Sequence, residues 1–209
     1  MMDRQLVVLL GPDYAGKSSV MAELSAALPG WQTLSTDSER VGAEHQLIAR
    51  LRRNVVEDVL PELGKAYSAE FLASLLQTAV VHLRDQVERA DPGTPLLVDS
   101  YYYKILAKCR LAGLKDHPLY GWWRAFPRPS AVIYLDVSPE SAWRRSDGGR
   151  RLNSLEHYGE SPEWFAFENY QTDLRKLMLE EIRGLPVTMI GEQPDAAGTA
   201  DAVREVLAA

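Results

Sequence analysis

The chemistry legible in this chain starts at residues 11–18, which read G-P-D-Y-A-G-K-S and fit the pattern G-x-x-x-x-G-K-[ST]. Each fixed position has a physical purpose. Gly11 and Gly16 allow backbone geometries and close approaches that a Cβ forbids, so successive N–H groups can turn inward on a phosphate. Lys17 reaches the β- and γ-phosphates and Ser18 offers a hydroxyl to Mg2+, while the N-terminus of a helix opening at Lys17 favours anions. The loop therefore predicts a triphosphate site formed by Gly11, Asp13, Tyr14, Ala15, Gly16, Lys17, Ser18 and Ser19.

A phosphate loop serves kinases, GTPases and motors alike. The chain has no N-K-x-D signature for guanine and is short for a motor, so the charged residues elsewhere must decide. Asp99 closes the apolar run PLLVD. At the carboxyl end of a parallel strand it would stand beside the loop, to order a magnesium-bound water or take a substrate hydroxyl. Its other reading is a helix cap for the residues from Tyr102 onward. Arg144, Arg145, Arg150 and Arg151 fall in or beside a polar segment, with Arg124 and Arg128 upstream. Phosphoryl transfer spreads negative charge over equatorial oxygens, and arginines closing on it would stabilise it. A solvated basic face is the alternative for each of them.

These groups need a scaffold. Five short apolar runs at 5–10, 32–35, 95–98, 131–136 and 187–190 are bounded by turn residues and read as strands buried on both faces of a parallel sheet. Helical patterns alternate with them at 17–28, 45–60, 69–89, 102–111, 139–145, 162–182 and 200–207. Such alternation predicts an α/β fold with right-handed crossovers. Ser68, Ser138 and Ser161 occupy N-cap positions, the last two followed by Pro at the first helical position, and Gly30, Gly113 and Gly184 mark helix ends. The segment 146–159 (SDGGRRLNSLEHYG) reads as a mobile lid, about 144–159 with its arginines, inside a single domain.

Composition narrows the classes further. A chain of 209 residues, 46% hydrophobic and 25% charged, suits one globular domain with a real core. The lone Cys109 excludes an intramolecular disulfide and a cysteine-based zinc site, and is best read as a core residue. His45, His82, His117 and His157 show neither metal-ligand nor hydrolase spacing. A net charge of −6 weighs against a general nucleic-acid surface. The three arginines within 50–54 are expected to pair with Glu57, Asp58 and Glu62 on a helix surface. No apolar run approaches the roughly 20 residues of a membrane span and no leader is recognised, so a cytoplasmic protein that does not cross a membrane is expected.

With these motifs in place, the chain resembles the thymidylate kinase family among the nucleoside monophosphate kinases, and more loosely the deoxyribonucleoside kinases. The resemblance covers most of the chain through GPDYAGKSS, VIYLDVSPESAWRR and VTMIGEQPDAAGTADAVREVLAA. It implies a five-stranded parallel sheet of order 2-3-1-4-5, ATP as donor, Mg2+, a lid over both substrates and a homodimer through the third and neighbouring helices. It places Asp13 at the acceptor sugar, Asp37 of LSTDSER at the position of a base, Arg145 at the start of the lid and residues 191–193 near the adenine. Tyr14 stands where some members carry an arginine, which passes that role to Arg145, Arg150 and Arg151.

Departures from the family pattern fall at the acceptor. Ser100 follows Asp99 where an arginine is usual, Thr78 stands where an arginine for the acceptor phosphate is expected, and the glycine pair after Asp37 is missing. Lys104, Lys108 and Arg84 are candidate substitutes. Phe71 and Tyr102 are candidates for contact with the acceptor, with core packing as their other reading. Trp122, Trp123 and Phe126 form a patch for the core or a subunit contact.

The expected protein is an ATP- and Mg2+-dependent kinase acting on a nucleotide- or nucleoside-like small molecule. Catalysis would fall to Lys17, Asp99, Asp37, Arg145, Arg150 and Arg151. Asp13, Asp37, Phe71, Thr78, Asp99 and Tyr102 would meet the acceptor, and Ser18 and Asp99 the metal. Two readings stand beside it: a kinase of a non-nucleotide hydroxyl metabolite or antibiotic-type compound, and a nucleotide-dependent regulatory or nucleic-acid-binding protein. Either Asp37 or Asp99 would orient the acceptor hydroxyl.

Overall fold

The computed structural model describes residues 5–37 and 42–208. Strands β1 (Leu6–Leu10), β2 (Gln32–Leu34), β3 (Leu96–Asp99), β4 (Ala131–Asp136) and β5 (Val187–Gly191) form one parallel sheet in the expected order β2-β3-β1-β4-β5. Among the described residues eight α-helices flank it: α1 (Lys17–Ala27), α2 (Gln46–Asn54), α3 (Ala69–Arg89), α4 (Tyr103–Leu111), α5 (Pro118–Arg124), α6 (Pro139–Arg145), α7 (Trp164–Glu181) and α8 (Ala196–Ala208).

β1 lies in the middle of the sheet and is buried throughout. Its alternate side chains serve two cores. Leu6, Val8 and Leu10 pack with α3, α4, α5 and α7, whereas Val7 and Leu9 pack with α1 and α8. A strand covered on both faces needs apolar residues at every position, which is why LVVLL shows no alternation. β5 differs because it is an edge: Val187 and Met189 are 36% and 43% exposed.

The register aligns Leu9 of β1 with Asp99 of β3 and Leu10 with Tyr134 of β4. The phosphate loop leaving β1 and the carboxylate ending β3 therefore emerge side by side at one edge of the sheet. This is where ligands collect in open parallel sheets.

Several expected elements shift, each for a physical reason. The helix expected over 45–60 ends at Asn54, and a wide π-turn (Val55–Val59) and a 3-10 turn (Leu60–Glu62) follow. Pro61 has no N–H to continue the ladder. The widened turn instead packs Val55 and Val59 with Leu60, Leu72 and Leu155 in a separate small core. Ser161 is not a cap: α7 begins at Trp164 after Glu163, where the Trp164 ring stands edge-on to Trp143 at 5.8 Å. α8 starts at Ala196 instead of residue 200, because the Asp195 carboxylate accepts the Gly198 N–H at 2.8 Å. The short α5 was not foreseen; the His117 side chain caps it and Pro118 occupies its first turn.

Ser68 and Ser138 cap α3 and α6 as expected. Gly30 and Gly113 adopt the left-handed φ of helix exits, and Gly184 does not. Trp123 and Phe126 join the core, while Trp122 is 42% exposed with the Arg84 guanidinium 5.7 Å from its ring. Among the described residues no helix is long and apolar enough to cross a membrane.

Candidate functional site

The turn after β1 has the geometry its sequence demands. A Cβ on Gly11 would come within 2.8 Å of the Leu135 carbonyl oxygen of β4, and Gly16 sits at φ +87°. Neither position tolerates a side chain without strain. Tyr14 also adopts a left-handed φ, of 58°. Lys17 is buried and lies back along the loop, its Nζ donating to the Pro12 carbonyl at 3.2 Å and the Gly11 carbonyl at 3.4 Å. With α1 starting at Lys17, the loop amides and the helix N-terminus converge on one volume.

Two carboxylates join this loop through hydroxyl groups. Ser18 Oγ donates to Asp37 Oδ2, and Arg52 Nη1 lies 2.8 Å from Asp37 Oδ1. Ser35 accepts the Asp37 N–H at 3.1 Å and donates to Asp99 Oδ2 at 3.2 Å, while Ser100 donates to Asp99 Oδ1 at 2.8 Å. Burial disfavours the charge on Asp37, but Arg52 and the Ser18 hydroxyl outweigh it and hold the carboxyl below its ordinary range.

This network suits Mg2+, which prefers oxygen ligands and retains several waters. Ser18, Asp37 and Asp99 offer a hydroxyl and two carboxylates. No cluster of three or more His, Cys, Asp and Glu capable of holding a metal forms among the described residues. An ion here would complete its shell with water and phosphate.

The backbone is strained where β3 ends. Ser100 and Tyr101 both adopt left-handed φ, 57° and 47°. For consecutive non-glycine residues, one bulky, that costs on the order of 1–3 kcal/mol each. The turn brings Asp99 and Tyr101 to the cleft and sends Tyr102 and Tyr103 into the core.

A second charged set lies under the loop. Asp13 Oδ1 meets Lys104 Nζ at 2.8 Å and Lys108 Nζ at 3.0 Å, and Lys108 lies 3.6 Å from Glu156. Gln171 of α7 donates to Asp13 Oδ2 at 3.2 Å and accepts the Asp13 N–H at 3.1 Å. Burial opposes ionisation of Asp13, yet Lys104 and Lys108 hold its carboxyl well below the usual range. Burial pushes Lys104 down to about 8 despite Asp13 beside it. Glu156 is raised, mainly by burial. Tyr14 ties the set to the segment 146–159 by donating its hydroxyl to the Arg151 carbonyl at 2.6 Å.

One cleft of about 760 Å³ connects both networks. Asp13, Tyr14, Ala15, Gly16, Lys17, Ser18 and Ser19 line it, with Gly11 directly behind. Asp37, Asp99, Arg145 and Arg151 line it too, and Arg145 Nη1 donates to the Tyr14 carbonyl at 3.2 Å. At the far end the wall is Pro194, Asp195 and Thr199, slightly beyond the expected 191–193.

Four expected residues lie elsewhere. Arg150 points to solvent, its side chain 81% exposed and 3.4 Å from Asp147. Phe71 stacks on Tyr67 with ring centroids 4.9 Å apart. Thr78 spends its hydroxyl on the Leu75 carbonyl of its own helix, because residues 76, 79 and 83 are the ones α3 turns to the cleft. Tyr102 packs in the core against Tyr103, and its neighbour Tyr101 lines the cleft instead.

Of the candidate substitutes, Lys104 and Lys108 reach the cleft, whereas Arg84 lies over Phe126 at 5.0 Å. The remainder of the LSTDSER motif, from Ser38, lies outside the described residues. Arg52, Glu156 and Gln171 belong to the site but were not expected there. Arg52 pairs with Asp37 instead of the acidic residues on its own helical stretch. The only local sequence signal for the buried set is the i, i+4 spacing of Lys104 and Lys108.

Comparison with known proteins agrees with this geometry. No family model matches the chain. A thymidylate kinase of Dictyostelium discoideum is 27% identical over 159 residues, covering 75% of this chain and 69% of that protein. The structure of a thymidylate kinase from Candida albicans superposes with a TM-score of 0.64 at 15% identity, covering 99% of this chain and 92% of the other. A deoxyadenosine kinase from M. mycoides, solved with bound dATP, gives 0.59 at 16% identity and covers 98% of this chain and all of its own. The chain is thus similar in sequence to a thymidylate kinase and shares the fold of these two solved kinases.

Proposed function

We propose that this protein is an ATP- and Mg2+-dependent phosphotransferase that passes the γ-phosphoryl group to the hydroxyl of a nucleotide- or nucleoside-like small molecule. The observation that carries this reading is the convergence on one cleft of the phosphate loop, the carboxylates of Asp37, bonded to Ser18, and Asp99, bonded to Ser35, and Arg145 and Arg151. The likeness to thymidylate and deoxyadenosine kinases supports it.

In this reading the loop amides and Lys17 hold the triphosphate, and Ser18 with Asp37 and Asp99 would hold Mg2+, which would supply charge neutralisation there. Arg145 and Arg151 stand beside the loop where negative charge grows on the transferred group. The acceptor oxygen bonds to Pγ as the bond from Pγ to the β–γ bridging oxygen breaks. ADP leaves and the hydroxyl proton passes to a carboxylate. We assign that proton to Asp99. The Asp37 carboxylate is taken up by the Arg52 guanidinium and the Ser18 hydroxyl, whereas Asp99 lines the cleft with the Ser35 and Ser100 hydroxyls as its partners among the described residues. The segment 146–159, pinned by Tyr14, is assigned as the lid.

The test is ADP release by the full chain with ATP, Mg2+ and a panel of nucleoside monophosphates, nucleosides and hydroxylated metabolites. Release that depends on one acceptor and vanishes in Lys17→Ala supports the reading. Release unaffected by Lys17→Ala contradicts it.

A further inference from the structure

The half of the cleft facing α3 and α4 has a different character from the phosphate loop. Leu60, Leu76, Ala79, Leu83 and Ile105 form its walls. Among the described residues, its cations are Lys104 and Lys108, and both are already matched. Asp13 lies 2.8 and 3.0 Å from the two ammonium groups, and Glu156 lies 3.6 Å from Lys108. Two ammonium groups face two carboxylates, with all four side chains at most 14% exposed.

The other cations lining the cleft stand at the phosphate loop, where the proposed function places the triphosphate. Arg52 sits on Asp37, Lys17 donates to the Gly11 and Pro12 carbonyls, Arg145 donates to the Tyr14 carbonyl, and Arg151 accepts the Tyr14 hydroxyl on its own carbonyl. Ser100 and Thr78 direct their hydroxyls to Asp99 and to the Leu75 carbonyl.

A phosphate monoester carries nearly two negative charges at neutral pH. Entering an apolar recess without an uncompensated cation, it would lose its hydration and gain no partner. Taking a lysine from Asp13 would strand a buried carboxylate instead. A neutral hydroxyl compound meets neither cost.

We propose that the acceptor is an uncharged nucleoside-like compound, and that the set Asp13, Lys104, Lys108 and Glu156 selects against a phosphate on it by satisfying its own charges. The proposal rests on the phosphoryl-transfer reading above and fixes the acceptor class within it.

The experiment compares kcat/KM for matched pairs, thymidine against dTMP and deoxyadenosine against dAMP, by ADP release from the full chain with ATP and Mg2+. At least one nucleoside should exceed its own monophosphate by about 100-fold or more, since an unmatched charge in a closed site is rejected strongly. A monophosphate turned over as well as its nucleoside overturns the proposal. So does ATP binding with no ADP release from any of the four compounds, whereas failure to bind ATP removes the phosphoryl-transfer reading itself.

Glu156→Gln provides a second arm. It leaves Lys108 with spare positive charge, so the monophosphate-to-nucleoside ratio should rise by about tenfold. An unchanged ratio in a variant that melts like the parent overturns the selecting role of the set.

Discussion

Replacing Asp13 with Asn tests the buried charge set directly. Asn keeps the shape but leaves Lys104 without a carboxylate and Lys108 with Glu156 alone, 3.6 Å away, at a position where Asp13 had been 2.8 and 3.0 Å from the two ammonium groups. Removing one partner of a buried ion pair costs about 3–5 kcal/mol, largely because the remaining charge is stranded. In a chain of 209 residues that lowers Tm by about 6–20 °C. Denaturant titration and calorimetry would read the loss, and Asp13→Asn with Lys104→Met should recover part of it.

The pH dependence supplies a sign. Lys104 titrates near 8 when folded against an ordinary 10.5, so between those values the unfolded chain binds more protons and stability rises with pH. Without Asp13, folded Lys104 loses its proton at still lower pH, and the rise should begin below pH 8. Asp13 itself is depressed from 3.8, so its contribution in the parent is lost as pH falls below that value and is absent from the variant. A destabilisation under about 1 kcal/mol, or no earlier alkaline rise, would mean the lysines are solvated and the reasoning is wrong.

Other positions give smaller or opposite effects. Gly11→Ala forces a Cβ against the Leu135 carbonyl, 2.8 Å away, and should cost about 1–3 kcal/mol by thermal melting, since β4 cannot retreat without disturbing the sheet. Tyr14→Phe removes the bond to the Arg151 carbonyl, so hydrogen exchange across 146–159 should quicken by about 2- to 10-fold, and unchanged exchange would count against a latch. Arg145→Ala should lower kcat by about 100-fold or more, whereas Arg150→Ala should stay within about twofold because its side chain is 81% exposed. Equal losses in steady-state assays would place Arg150 in the site after all.

The parts of this protein that were legible in advance are those whose signal is local. The phosphate loop is contiguous, with glycines required by a positive φ at Gly16 and a close approach at Gly11. β1, β3 and β4 were readable because burial on both faces leaves apolar runs, while β2 is only Gln32–Leu34 and left a weak trace.

The pairing within the charge set was not legible, nor were Glu156 and Gln171 as its members, because these residues and Asp13 and Lys104 come from distant segments that only the fold brings together. Arg52 lay in a run that matches an ordinary surface helix and so concealed its bond to Asp37. That Tyr101 and not Tyr102 lines the cleft has no local signal, because the left-handed turn at Ser100 and Tyr101 has no glycine to announce it. Thr78 failed by helix phase: two residues from Leu76 it lies about 200° around α3, away from the cleft.

The most direct test of the account is calorimetric titration of Mg2+ and ATP into the full chain and into Lys17→Ala. The geometry predicts saturable one-site binding by the parent and an affinity about 10- to 100-fold weaker in the variant, the worth of charge-assisted hydrogen bonds to phosphate. A parent chain that takes up no ATP, or a variant that binds it equally well, would contradict the triphosphate site on which the proposed chemistry depends.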